Sequence, residues 1–135
     1  MKELIGKTVT GLRINDDQSI LSVDTTDETI AYIAYGDCCS ETWFSDITGV
    51  DALIGGTVTN VESISMDGYN VEDGRCRQEY DEVYGYKITT NKGYCDVVFR
   101  NSSNGYYGGS IELCDLKYYE VWNKNVVSIT DDWSA

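Results

Sequence analysis

The stretch Gly36–Phe44, GDCCSETWF, sets Cys38 and Cys39 side by side between Asp37 and Glu41. Thiols and carboxylates at this density suit a nucleophilic centre, a metal site or a disulfide. Each of these needs partners. A cysteine nucleophile needs a base, and the 135-residue chain has no histidine, which excludes a Cys-His pair and a Ser-His-Asp triad. The commonest transition-metal ligand is lost with it. Zinc could take four of the five cysteines (Cys38, Cys39, Cys76, Cys95, Cys114), but the paired C-x-x-C spacing of a structural site is missing. On an extended strand, Cys38 and Cys39 would point to opposite faces and would not chelate together. The pair therefore reads first as scaffold, second as the margin of a ligand site and last as a catalytic thiol. An odd cysteine count without a secretory leader pattern points to reduced thiols in a cytosol. Cys95 and Cys114 sit in apolar strand patterns and read as small buried hydrophobes.

Carboxylates are far more numerous. Pairs such as Asp16/Asp17 and Glu72/Asp73 suit acid–base or glycosidic chemistry in type, but 23 acids in one chain produce such pairs by chance. The stretch DGYNVEDG has oxygen ligands for calcium without the spacing or final glutamate of an EF-hand loop. No G-x-x-x-x-G-K-[ST] phosphate loop is present. The sequence therefore calls for no metal and no cofactor, and for a binding protein rather than an enzyme.

Charge distribution carries more information than any motif. From Ile14 to Gly74 there are thirteen acids and no lysine or arginine, so this segment holds the whole net charge of -13. Such a chain is not drawn to nucleic acid, whose phosphates need cations. It suits a basic surface of a host protein, with Asp and Glu taking places that phosphates would otherwise take. The expected contact residues are Asp16, Asp17, Asp24, Asp27 and Glu28, followed by Asp37, Glu41, Glu72 and Asp73. That reading requires the acids to gather on one face.

The alternative is a nucleotide ligand. Tyr106 and Tyr107 follow the turn Ser102–Gly105, and Arg100 and Asn104 supply donors beside it. Cys38 and Cys39 would margin that pocket, and a neighbouring subunit's Arg75 or Arg77 could reach the phosphate. The alternative thus admits a homo-oligomer. No apolar run approaches the roughly 18 residues that cross a bilayer. The opening MKELIGKTVT lacks a signal-peptide core, so a cytoplasmic, non-membrane location is expected.

The elements that must position these residues are mostly extended. Alternation predicts strands at Lys7–Ile14, around SILSV, and at Thr29–Tyr35, Thr57–Met66 and Glu79–Thr90. Further strands are expected at Tyr94–Arg100 and in YYGGSIELC, with the LKYYEVW region also extended. Ile47, Val50, Leu53 and Ile54 have helical spacing, which predicts one short helix over Ser45–Gly55 with Gly55 as its positive-φ stop. The fold class is α+β, mostly β: one domain of antiparallel meandering strands in a strongly bent sheet or partial barrel. LIGKTVT at Leu4–Thr10 echoes LIGGTVT at Leu53–Thr59. Seven residues fall short of a repeat architecture, so the echo reads as a recurring local solution of helix end, glycine stop and strand start.

GDCCSETWFSDI, DALIG, NKGYCDVVFR and SSNGYYGGSIEL together resemble an uncharacterised family of small phage and prophage proteins. That family carries a DCCE-like segment, a following DLIG and a later SNGYYSESV-like hairpin. The resemblance spans Leu4 to Leu113 in element order. This chain departs from it at DCCSE and at GYYGGS. The resemblance implies a viral or prophage origin, a bacterial host cell and a predominantly β fold, with no settled activity. It singles out Asp37, Cys38, Cys39, Asn104, Gly105 and Tyr106. A bacterial-defence component is the target such an origin suggests.

Overall fold

The computed structural model describes residues 1–36, 41–65, 80–103, 109–115 and 126–135. Its regular elements are a 3₁₀ turn η1 (Lys2–Leu4), strands β1 (Val9–Ile14), β2 (Ile20–Thr25), β3 (Thr29–Gly36) and β4 (Glu41–Thr48), and helix α1 (Val50–Leu53). Strands β5 (Val58–Ser65), β6 (Tyr80–Thr90), β7 (Gly93–Ser103), β8 (Gly109–Cys114), β9 (Val127–Ile129) and β10 (Trp133–Ser134) follow.

The mostly β class is borne out. The strands form two five-stranded sheets, in the orders β8-β3-β2-β1-β9 and β10-β4-β7-β6-β5, with every named pair antiparallel. They are two separate layers rather than one bent sheet, and they do not close into a barrel. The apolar core takes Leu12, Val23 and Tyr32 from the first sheet and Phe44, Ile88 and Val97 from the second. Phe99 stacks between Tyr84 and Tyr86, with ring centroids 5.1 and 6.1 Å away. Full burial of side chains this size contributes about 1.5–3 kcal/mol each.

The predicted helix is cut short. Strand β4 continues to Thr48, and only Val50–Leu53 is helical. Gly49, at φ 82°, separates the two. Ser45 is buried at a break in the β4–β7 register, its hydroxyl donating to the Val98 carbonyl at 3.4 Å. Gly55 does hold a positive φ, 84°.

The LIGKTVT/LIGGTVT echo is more than a local solution: it marks two related halves of the chain. Gly6 N–H donates to Val58 O (2.8 Å), and its counterpart Gly55 N–H donates to Val9 O (2.7 Å). Val58 N–H donates to Lys7 O, just as Val9 N–H donates to Gly56 O. Thr8 bridges Thr57, with hydroxyl oxygens 2.9 Å apart. Bulges recur at matching places, Val9/Gly11 and Val58/Asn60, so that Val9 with Leu12, and Val58 with Val61, face the core despite their spacing. The core row Leu12–Val23–Ile30 is matched by Val61–Ile88–Cys95.

Each half is thus a helical turn, a three-stranded meander and a fourth strand placed in the opposite sheet. Strand β4 leaves the first half to pair with β7, and β8 leaves the second to pair with β3. Strands β9 and β10 add one edge to each sheet and stand outside the relation.

Candidate functional site

The first candidate site lies where the strands change sheets. Strand β3 ends and β8 begins at the pair Gly36↔Gly109, while β4 begins near the end of β7 at Glu41↔Ser102. The residues flanking the DCC and SNGYY motifs are therefore neighbours on both sheets, although the motifs lie far apart in sequence. Asp37, Cys38, Cys39, Asn104, Gly105, Tyr106 and Tyr107 themselves lie outside the described residues. Glu72, Asp73, Arg75 and Arg77 lie outside them too, as does the LKYYEVW region.

Next to this crossing, β4 and β7 bury a polar set. Thr42 Oγ1 donates to Asn101 Oδ1 at 2.8 Å, and Asn101 is fully buried. Arg100 is 5% exposed, and its Nη2 stands 3.7 Å from Asp46 Oδ2, close enough for charge attraction and long for a hydrogen bond. The hydroxyl of Ser102 is buried with no hydrogen-bond partner among the described residues. Trp43 lies opposite Arg100 in the register and is equally enclosed. The nucleotide alternative needs Arg100 to present its guanidinium to a phosphate. Here it is enclosed with a carboxylate already beside it.

Among the described residues the acids of the segment Ile14–Gly74 fall into separate groups. Asp16 and Asp17 belong to the β1–β2 turn, and Asp24, Asp27 and Glu28 to the opposite end of the same strands. A six-residue strand separates the two groups by roughly 17 Å. Glu41 opens β4 at the crossing, in the other sheet. Strand pairing also carries in cations from outside the acidic segment. Arg13 holds Asp24 through Nε (3.2 Å) and Nη2 (2.8 Å), and Lys7 reaches Asp27 (2.9 Å) and Glu28 (3.3 Å). The Lys7 ammonium lowers the pKa of Asp27, and the two carboxylates raise that of Lys7. Among the described residues the acidic segment is divided and partly compensated.

The described thiols are not poised for chemistry. Burial, then the nearby acids led by Asp96, push the Cys95 thiol up to about 12, and burial followed by Asp115 raises Cys114. Both are free, and protonated thiols are poor nucleophiles. Among the described residues no three His, Cys, Asp or Glu side chains converge as a metal site.

Alkaline pH checks this reading. An unfolded cysteine ionises near 9.0, whereas folded Cys95 keeps its proton to about 12. Stability is undiminished below pH 9 and falls as pH rises through that interval, by up to about 1.4 kcal/mol per pH unit. Tyr32, also raised by burial and by Glu3, acts in the same direction. The urea midpoint should drop steeply above pH 9, and less steeply in Cys95→Val.

The second candidate site is a pocket of about 550 Å³ at the corner where β3 begins and β8 ends. Ile30, Leu113 and Cys114 give it an apolar side, and Glu28, Thr29 and Asp115 a polar margin. Leu113 is 55% exposed there. Sequence reasoning named Glu28 but missed Leu113 and Asp115. The signal available was a large apolar residue beside an acid at the end of a strand.

Among the described residues, no helix is long and apolar enough to cross a membrane. Residues 2–113 match the family described as "Domain of unknown function (DUF7448)", and the chain belongs to that family. The matched span closes at β8, and so contains both related halves. The chain is also 31% identical over 113 residues to "Uncharacterized protein L278" of Acanthamoeba polyphaga mimivirus, covering 78% of this chain and 85% of that protein. The chain therefore has a viral relative. No solved structure matches.

Proposed function

We propose that this member of the DUF7448 family is a viral-type binding protein that inhibits a host protein by covering a basic surface on it. A component of bacterial defence that handles nucleic acid is the kind of target the sequence suggests. The observation that carries the reading is the β2–β3 end of the first sheet. Asp27 and Glu28 are exposed there and both reach the Lys7 ammonium, in a chain of net charge -13. Opposed potentials speed encounter with a basic surface and lose force as salt shortens their range to a few ångström. The contact is local rather than a phosphate-like array along the whole acidic segment, because the strands send Asp16 and Asp17 to the other end. The described thiols and carboxylates support binding rather than turnover.

The test is capture from host-cell lysate on immobilised protein at about 0.05 M and about 0.5 M salt, with the captured proteins identified. Basic proteins should be retained at the lower concentration, released at the higher, and lost in Asp27→Asn/Glu28→Gln. Salt-insensitive capture of an acidic partner would overturn the reading.

A further inference from the structure

We infer that the outer edge of β4, between Ser45 and Val50, is a docking groove for an extended segment of a partner polypeptide, held in this chain by residues 132–135 as a displaceable stand-in. The segment the groove takes reads acid, aromatic, small, small. The inference goes beyond the function proposed above and does not depend on it.

The groove is defined by what sits in it. Asp132 Oδ1 accepts from the Gly49 and Val50 amides, at 2.8 and 3.2 Å. Trp133 and Ser134 then pair antiparallel with Ile47 and Asp46 as β10, and the Ala135 amide donates to the Ser45 carbonyl at 2.8 Å. Ile47 points into the core, and partners across an antiparallel pair point the same way, so Trp133 packs against the core beside it. Beyond Ser45 the edge is closed, because the Phe44 amide donates to the Gln18 carbonyl at 2.9 Å. Residues 132–135 therefore fill the groove from end to end. Asp132 and Trp133 set the register, and the backbone supplies the rest. Main-chain bonds for affinity and a few side chains for specificity are the terms on which a strand adds to a sheet edge.

The occupant is built to leave. Strand β10 is two residues long, where an ordinary strand has about five or six. Of residues 130–135 only Trp133 is even half-buried. Strand β9, by contrast, pairs along Val127–Ile129 with β1 and buries Ile129 in the core. It keeps the segment tethered to the first sheet while Thr130 and Asp131 let β10 lift from the second. The groove also stands apart from its occupant: Ser45, Asp46, Ile47, Gly49 and Val50 lie within the two related halves and the matched family span, and β10 lies outside both. Release leaves a row of unpaired backbone groups, which recruits another strand. Tethering holds the stand-in at an effective concentration on the order of millimolar, so it turns away weak segments and yields to tight ones.

The test uses the full chain, native and as Asp132→Ala/Trp133→Ala, which empties the groove. The probe is the labelled peptide Thr-Asp-Asp-Trp-Ser-Ala, the sequence of residues 130–135, read by fluorescence polarisation. It should bind the variant at least about tenfold more tightly than the native chain, whose groove is held in cis. A second peptide with alanine for the tryptophan, and a third with asparagine for the second aspartate, should each bind the variant about tenfold more weakly. In amide NMR spectra the variant should displace the Gly49 and Val50 resonances, and the first peptide should return them toward their native positions. Should the double variant unfold, Asp132→Ala alone, which keeps Trp133 against the core, serves for the same comparison.

Equal binding to native chain and variant, or equal binding of the three peptides, overturns the groove. So does failure of the first peptide to bind the variant, or binding that leaves the Gly49 and Val50 resonances unmoved. Native dimers that form with rising concentration and are lost in the variant would assign the groove to a second copy of this chain and overturn the partner reading.

Discussion

Gly49→Ala should destabilise the fold by about 3–5 kcal/mol, whereas Gly6→Ala and Gly55→Ala should each cost about 1 kcal/mol. All three glycines have nearly the same backbone, with φ of 82°, 86° and 84° respectively, so the left-handed penalty is common to them. Space separates them. An alanine Cβ at Gly6 meets nothing within 4 Å, and at Gly55 only the end of the Lys92 side chain, at 3.5 Å. At Gly49 it would meet the Tyr94 carbonyl oxygen at 2.1 Å and the Cys95 Cα at 3.2 Å. These are backbone atoms of a central strand. They cannot rotate away, so α1 would have to lift from β7. Urea denaturation of the three variants measures the difference directly. Gly6 and Gly55 occupy matching positions in the two halves, so their costs should agree within about 0.5 kcal/mol. A Gly49 variant as stable as the other two would show that α1 is not pinned to β7.

The same positions show what the sequence could and could not disclose. The echo survives as seven residues because only those residues are held by something the two halves share. Leu4 and Leu53 are fully buried, Gly6 and Gly55 take the left-handed turn, Thr8 and Thr57 bridge each other, and Val9 and Val58 enter the core. Elsewhere the halves need only an apolar residue facing inward, and many sequences satisfy that, so the correspondence fades from view while the strands stay legible. The expected strands from Lys7 to Arg100 correspond to β1–β3 and β5–β7, because alternation is a local signal. Strand β4 was hidden by its bulge, which brings Phe44 and Ile47 onto one face at a spacing that also suits a helix.

Charge was the least legible property. A run without lysine or arginine says nothing about which cations the sheet will bring alongside it. Lys7 and Arg13 precede the run in sequence, yet pairing of β1 with β2 sets Arg13 across from Ser22 and within reach of Asp24. The reach of Lys7 to Asp27 and Glu28 is likewise a tertiary fact.

Arg100→Met should cost about 3–5 kcal/mol, the range expected when one member of a buried ion pair is removed and the other is left behind. The Asp46 side chain is 20% exposed, and one of its oxygens is fully enclosed, so without the guanidinium it keeps a charge that water reaches poorly. Asp46→Asn should cost less, because an amide is easier to bury than an unpaired carboxylate. The double variant should fall short of the sum of the singles by about 1–3 kcal/mol if the two side chains act on each other. Simple additivity would mean that the 3.7 Å approach carries no coupling and that Arg100 is held by its other contacts. The same variants decide the nucleotide alternative. If Arg100 belongs to the scaffold, no nucleotide raises the melting temperature of the native chain. If Arg100 serves a phosphate, one nucleotide gives a dose-dependent rise of several degrees that Arg100→Met abolishes, and Asp46→Asn strengthens it by removing the competing carboxylate. A guanidinium so deeply enclosed beside an acid favours the first outcome, since a phosphate would have to displace Asp46 and enter a site from which water is already excluded.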